Sequence, residues 1–316
     1  MIAIVSSSRM EPARIEDPSS VIRQKAAIVR EAAVKLEELA DAEVREALPY
    51  ALAASSAWNS SRLEGRECDP EDLCRAIAAG SSQDALVCEV SGLAEMHAGI
   101  DRAARAKRLE DPSGASALCQ IHARLCSVAD GLAGSDRPGR FRDVDVAVGR
   151  HVPPPHDRID AFVDHFHARF RVDRLKGQAA PVLALATSHH RLAWIHPFQD
   201  GNGRIARLHG HAFAHMVGIA ADGLWSLPRA LARGSKGGLG YHEMMAVADR
   251  PRQGDRDGRG NLSLAALEAF ADWFLDAVIE EMTSTRELIA RLDHRARTLA
   301  RDPANWPDTL AELFFA

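Results

Sequence analysis

Apolar residues recur every three or four positions through most of the chain, the spacing of helices with one buried face. In "IRQKAAIVREAAVKLEELAD", residues 22–41, Ile22, Ala26, Val29, Ala33, Leu36 and Leu39 form one such stripe. A second helix is predicted from about Val44 to Leu63, with Gly65 stopping it in a left-handed conformation. "DPEDLCRAI" restarts helix with Asp69 as N-cap and Pro70 at the first helical position. Further helices are predicted over 82–107, 114–130, 157–171, 179–195 and about 203–217. "LSLAALEAFADWFLDAVIEEM" gives a strongly amphipathic one, and the chain continues helical to about Arg301. Residues 1–20 read as a flexible lead-in, and no internal repeat is found. The pattern implies an all-α fold.

Two segments break the period. In "PGRFRDVDVAVGRHVPPP", residues 138–155, Val144, Val146 and Val148 alternate with Asp145 and Ala147 between glycines and prolines. That alternation predicts a short β-hairpin standing out from a helical body. "DRPRQGDRDGRGN", residues 249–261, has turn chemistry throughout and mixed charge, so it is expected to be a solvated loop.

Composition narrows the classes without choosing among them. The 316 residues are 46% hydrophobic and 26% charged, enough for a sizeable core in one large or two modest domains. A net charge of −5 gives no support for a general nucleic-acid binder. The five cysteines form no CxxC pair, so neither a disulfide framework nor a thiolate zinc site is expected; Cys88, Cys119 and Cys126 read as buried thiols. No signal peptide or membrane-spanning run is legible, which makes the cytoplasm the expected compartment. The five tryptophans are assigned to core packing.

The densest chemistry lies in "HPFQDGNGRIAR", residues 196–207. Gly201, Asn202 and Gly203 directly precede a helix, where unpaired N–H groups and the helix dipole suit phosphate oxygens. Arg204 and Arg207 lie about one turn apart and can fork onto the same anion. Asp200 offers a hard oxygen ligand for Mg²⁺, and His196 can accept a proton near neutral pH. Together they suit transfer of a phosphate-containing group from a Mg²⁺-bound nucleotide to a hydroxyl.

This stretch resembles the signature of the Fic (filamentation-induced-by-cAMP) family, HxFx(D/E)GNGRxxR, at every specified position. The resemblance implies a Fic-type helical bundle with a small β-hairpin flap, and AMP transfer from ATP to a hydroxyl of a target protein. His196 would be the base and Asp200 the Mg²⁺ ligand. Gly201, Asn202 and Gly203 would form the anion hole, Arg204 would contact the β-phosphate region and Arg207 the γ-phosphate, with Phe198 a packing residue. "GRFRDVDVAVG" is similar to the family's flap, which docks a target segment by strand addition. "SKGGLGYHEMM" resembles the downstream segment carrying paired tyrosines near the nucleotide base; here Tyr241 is followed by His242. The similarity extends over roughly residues 44–285, and His189 is given a structural role.

A second motif, "SSRLEG", places Ser60, Glu64 and Gly65 in the pattern (S/T)xxxE(G/N). Alone it is a helix end. Beside the signature it resembles the family's inhibition motif, in the class with an N-terminal inhibitory helix, and implies that Glu64 reaches Arg207 where the γ-phosphate would lie. The implied organisation is a helical region 1–105 with the inhibitory helix, a catalytic core 106–285 and a helical tail 286–316. The tail from Asp302 is similar to the start of a winged-helix unit.

The implied function is an autoinhibited protein adenylyltransferase acting on an unidentified target, with self-modification and homo-oligomer formation open. Alternatives are removal of AMP from a modified protein, transfer of another phosphate-containing moiety, or a non-catalytic nucleotide-binding scaffold. No membrane partner is expected, nor nucleic acid. His211 and His215 are four apart, as a metal pair would be, but "HAFAH" lacks the glutamate of HExxH and no third ligand is evident, so a zinc site is not expected.

Overall fold

The computed structural model describes residues 6–128, 137–235, 238–292, 301–306 and 314. These residues form eleven α-helices: α1 (Ser20–Leu39), α2 (Ala42–Arg62), α3 (Pro70–Ala79), α4 (Ala85–Arg105), α5 (Ala115–Val128), α6 (Ile159–Phe170), α7 (Ala179–Ile195), α8 (Asn202–Met216), α9 (Leu227–Arg233), α10 (Tyr241–Ala248) and α11 (Leu264–Arg291). The all-α expectation holds. The helix starts follow from local chemistry: Asp69 accepts from the Glu71 amide with Pro70 behind it, and Asp84 accepts from Leu86 and Val87. α9 and α10, which the apolar pattern did not single out, are only seven and eight residues long and flank a glycine-rich loop.

α7 and α8 pack together: α4 and α5 cover α8, α1, α6 and α11 cover α7, and α2 runs along α4 and α9. The second half of α2 and almost all of α7 are buried on every side. Their polar residues are therefore inside and find partners there. Ser56 bonds Ser226 at 2.7 Å, and Arg191 donates to the Pro12 carbonyl through Nε and Nη2 at 3.1 and 2.7 Å.

Three expectations are corrected. The lead-in is not loose from Ser6 onward: Met10, Ala13 and Ile15 are buried, and Glu11 pairs with His165 and Arg169 of α6. Residues 1–5 lie outside the described residues. Cys88 is exposed on α4, and Cys119 and Cys126 are only half-buried. The expected hairpin over 138–155 is reduced to one antiparallel bridge, in which Val148 and His151 exchange both backbone hydrogen bonds at 2.9 Å around Gly149. The described residues contain no strand longer than that. The reason lies in Arg142, whose buried guanidinium donates to the carbonyls of Val144 and Pro154 at 2.8 and 2.5 Å. A side chain thus joins the two arms where a ladder would have joined them.

Trp306 is buried against Tyr50 of α2, with ring centroids 5.4 Å apart, and Phe314 packs on Trp58. Residues 293–300 and most of the expected winged-helix start lie outside the described residues. Among the described residues no helix is long and apolar enough to cross a membrane.

Candidate active site

The site is built where α7 ends and α8 begins. His196 closes α7 in a left-handed turn with φ 51°, a conformation few side chains adopt. That turn is held from both sides: Arg142 donates from Nε to the His196 carbonyl at 2.9 Å, and its backbone amide donates to the Pro197 carbonyl at 2.9 Å. Phe198 is fully buried, stacked on His122 of α5 at 4.1 Å. Burial drives the His196 imidazole down to about 4, with Arg142 and His151 adding to the shift and Ala193 and Glu64 opposing it. His196 is therefore neutral at pH 7, the state in which an imidazole can accept a proton.

Gly201 has φ 78° and turns the chain into α8. The Asn202 side chain has a structural task, accepting from the Phe198 amide at 2.9 Å and donating to the Phe198 carbonyl at 2.8 Å. Its amide side chain thus points back into the loop, and the cradle is left to backbone N–H groups. Asp200 is half-exposed; its Oδ1 accepts from the Gly201 amide at 2.5 Å and lies 3.7 Å from Arg204. Such an exposed carboxylate beside a helix N-terminus fits a hard divalent ion.

The cradle holds an anion of the chain's own. The Glu64 carboxylate lies over Gly203 so closely that a Cβ added there would overlap it. Arg207, almost wholly buried, donates to Glu64 Oε1 at 2.5 Å, to Ser60 Oγ at 2.7 Å and to the Ser60 carbonyl at 3.0 Å. Burial alone would raise the Glu64 carboxyl, but Arg207, then Arg204 and His242, hold it below the usual range. Gly65, with φ 72°, lets the chain turn away just after Glu64, beyond the end of α2. Arg204 is turned to a different carboxylate, donating to Glu89 of α4, which also pairs with Arg66 at 2.7 Å.

Tyr241 is buried, its hydroxyl 2.9 Å from His189 Nε2, so His189 has the structural part expected of it. His242 donates from Nε2 to the Leu63 carbonyl at 2.9 Å, tying α10 to the end of α2. Together Glu64, His196, Gly203, Arg207, Tyr241 and His242 line a cleft of about 430 Å³ that Val148, Arg150 and His151 close from the 138–155 side. Of the expected site residues, Glu64, His196, Gly203, Arg207 and Tyr241 line this cleft, whereas Ser60, Gly65, Asp200, Gly201, Asn202 and Arg204 do not. Glu89, Arg142 and His122 were not foreseen, since nothing near them in sequence marks their partners Arg204, His196 and Phe198 far along the chain.

Residues 112–214 match the model of the Fic/DOC family, a narrower stretch than the 44–285 of the sequence resemblance. Curated relatives include proteins named protein adenylyltransferase Fic. The one from Aedes aegypti is 36% identical over 91 residues, 29% of this chain and 17% of that protein. The one from Nematostella vectensis is 34% identical over 102 residues, 32% of this chain and 23% of that protein. The matched stretch thus spans less than a quarter of either relative. Among solved structures, a Fic domain-containing signaling protein from Bacteroides thetaiotaomicron aligns with a TM-score of 0.61 and 18% identity, over 84% of this chain and 98% of that one. A Fic family protein from Desulfovibrio desulfuricans aligns with a TM-score of 0.57 and 18% identity, over 93% of this chain and 85% of that one. At that identity the likeness is one of fold.

Proposed function

We propose that this chain, a Fic-domain protein, is a protein adenylyltransferase held at rest by its own Glu64. The observation that carries the reading is the Glu64 carboxylate seated over Gly203 and bonded to Arg207, as a stand-in for a phosphate of ATP. In this reading residues 1–105 supply the inhibitory helix, 106–285 the catalytic core and 286–316 a helical tail.

When Glu64 withdraws, Arg207 is released to the γ-phosphate and the backbone N–H groups at Gly201–Gly203 to the phosphate oxygens. Mg²⁺, held by Asp200, would neutralise charge on those oxygens. The target hydroxyl enters on the side closed by Val148 and His151, where the exposed Val144 and Val148 side chains offer apolar contact to an extended segment. His196, neutral beforehand, takes the hydroxyl proton as the oxygen bonds to the α-phosphorus. The bond from that phosphorus to the bridging oxygen breaks, and pyrophosphate leaves with the electron pair. Catalysis is positioning and charge stabilisation around one proton transfer.

The test is incubation with Mg²⁺ and ATP labelled at the α- or γ-phosphate. Label arriving on protein from the α position only is the expected result. Label from γ means phosphate transfer, and loss of label from premodified protein means AMP removal; either overturns the reading. Glu64→Gly is expected to raise incorporation about 10- to 100-fold, the worth of one charge-assisted hydrogen bond. Arg207→Ala breaks the same contact and is expected to lose activity, because it removes the phosphate ligand as well. Equal activation by both would mean a simple lid. In the Glu64→Gly background, His196→Ala is expected to cost about 10²- to 10⁴-fold in transfer while calorimetry still detects ATP binding.

A further inference from the structure

The pair His211 and His215 lacked a third ligand in the sequence, and α4 supplies it. Asp101 Oδ1 lies 2.8 Å from His211 Nε2 and 2.7 Å from His215 Nε2. The three side chains are 2%, 7% and 8% exposed, so the cluster is shut from solvent. A second observation comes from His97, one turn before Asp101. It is fully buried, its ring stands edge-on to His211 with centroids 5.0 Å apart, and neither ring nitrogen has a hydrogen-bond partner among the described residues. An imidazole so placed is expensive unless something binds it. Two packed helices thus each carry an i,i+4 pair here, His97 and Asp101 on α4 and His211 and His215 on α8; the donor atoms of Asp101, His211 and His215 lie within 4.8 Å of one another, and His97 packs beside His211 just outside that group.

We propose that these four residues form a structural site for a divalent transition metal of the zinc type. His211 Nε2, His215 Nε2 and Asp101 Oδ1 are the primary ligands and His97 is the fourth. Three imidazoles and one carboxylate are a borderline donor set, suited to Zn²⁺ and poorly suited to Mg²⁺ or Ca²⁺, which take oxygen. The closed surroundings give a structural site and leave no position for a substrate. The carboxylate is braced from behind: a Cβ added at Gly223, whose φ is 84°, would come within 2.9 Å of all three carboxyl atoms of Asp101.

The distances of 2.7 and 2.8 Å describe the protonated form, in which both Nε2–H groups share one oxygen. Metal bonds of about 2.0–2.1 Å set neighbouring donors roughly 3.3 Å apart. Binding therefore needs the His211 and His215 imidazoles to carry their protons on Nδ1 instead, these side chains to open by about half an ångström, and His97 to swing inward from beside His211. Counted at about 1.5 Å per residue, the cluster lies roughly 12–18 Å along α8 from Gly203. It is separate from the Asp200 site. Its effect is to clasp α4 to α8, the helices that bring Glu89 and Arg204 together.

The experiment uses the full chain without an affinity tag, stripped by chelator and reloaded with Zn²⁺ or Co²⁺. One equivalent of bound metal by elemental analysis, a tetrahedral Co²⁺ visible spectrum and a rise in Tm of several degrees are expected. Less than a tenth of an equivalent after reloading overturns the proposal, and that arm needs no variant. Asp101→Asn, which keeps the shape of the side chain, and His211→Ala with His215→Ala are expected to abolish the spectrum. A Tm rise equal to that of the unaltered protein in those variants overturns it as well. His97→Phe is expected to weaken binding at least tenfold, and an unchanged Kd removes His97 from the ligand set. None of these readouts depends on nucleotide transfer.

Discussion

Two arginines one turn apart on α8 meet carboxylates in opposite settings. Arg204 is bonded to Glu89, which rises from the first turns of α4, is 2% exposed and is gripped again by Arg66. Arg207 is bonded to Glu64, which lies beyond the last turn of α2, is 33% exposed and faces the cleft. The charges are alike, but the attachment is not. Glu89 sits on rigid helix with its Oε1 shared by two arginines. Glu64 hangs between the end of α2 and Gly65, with Ser60 holding Arg207 independently. The difference teaches which carboxylate belongs to the scaffold and which can leave: an element that moves must be weakly tied relative to the site it uncovers.

The largest effect expected from breaking that contrast is at Glu89. Glu89→Ala leaves two arginines, one of them buried, without their carboxylate, a loss of about 3–5 kcal/mol. Glu64→Ala lets water from the cleft reach Arg207 and is expected to cost about 1 kcal/mol or less. Urea unfolding of both variants measures the gap directly. Equal destabilisation would place Glu64 in the scaffold too, and the contrast between the two pairs would be gone.

Next in size is the pin at the loop itself. Asn202→Ala removes both hydrogen bonds to the Phe198 backbone and leaves a buried N–H and C=O unpaired, at about 1–3 kcal/mol for each group before relaxation. Unfolding midpoint and ATP affinity are both expected to fall. If affinity falls with no change in the midpoint, Asn202 belongs with the movable contacts and not with the fixed side of α8.

What the sequence disclosed of these two regions follows the range of the interactions. Glycines, arginines and the aspartate of 196–207 are neighbours in the chain, so their shared purpose is written locally. So are the Asp69–Pro70 helix start and the apolar stripes of the long helices, which need only a few turns to declare themselves. Glu89, Asp101 and Arg142 act on partners 115, 110 and 54 positions away, and their own surroundings read as ordinary helix or loop. The valine alternation of 144–148 was a true local signal for extended chain, overridden because Arg142 engages the carbonyls that a strand would have used. The lead-in was misread for the opposite reason. It is polar in composition, yet Pro12 and Glu11 are fastened by Arg191 and Arg169, whose positions the lead-in does not encode.

The smallest expected effect is an absence of change, at His196. Burial holds its imidazole near 4, with Arg142 and His151 helping. A histidine at its ordinary value of about 6.5 would be roughly 90% protonated at pH 5.5, and a base of that kind would lose about tenfold in its competent form between pH 8 and 5.5. At a value near 4 the competent neutral form persists through that whole window and is lost only as the pH falls through 4. The measurement is an NMR titration of the imidazole carbon-bound protons, with the His196 resonance assigned by its disappearance in His196→Ala. That resonance is expected to stay still from pH 8 to 5.5. Glu64→Gly sharpens the test, because Glu64 is one of the groups raising the His196 value; without it the resonance should be no easier to titrate. Movement centred near 6.5 in the unaltered protein would mean that the imidazole is solvated, and that the turn at φ 51° with its Arg142 clamp does not shelter the base. Movement near 6.5 in Glu64→Gly alone would mean that Glu64 closes the cleft over His196 as well as filling the cradle, joining the base to the movable side of the comparison.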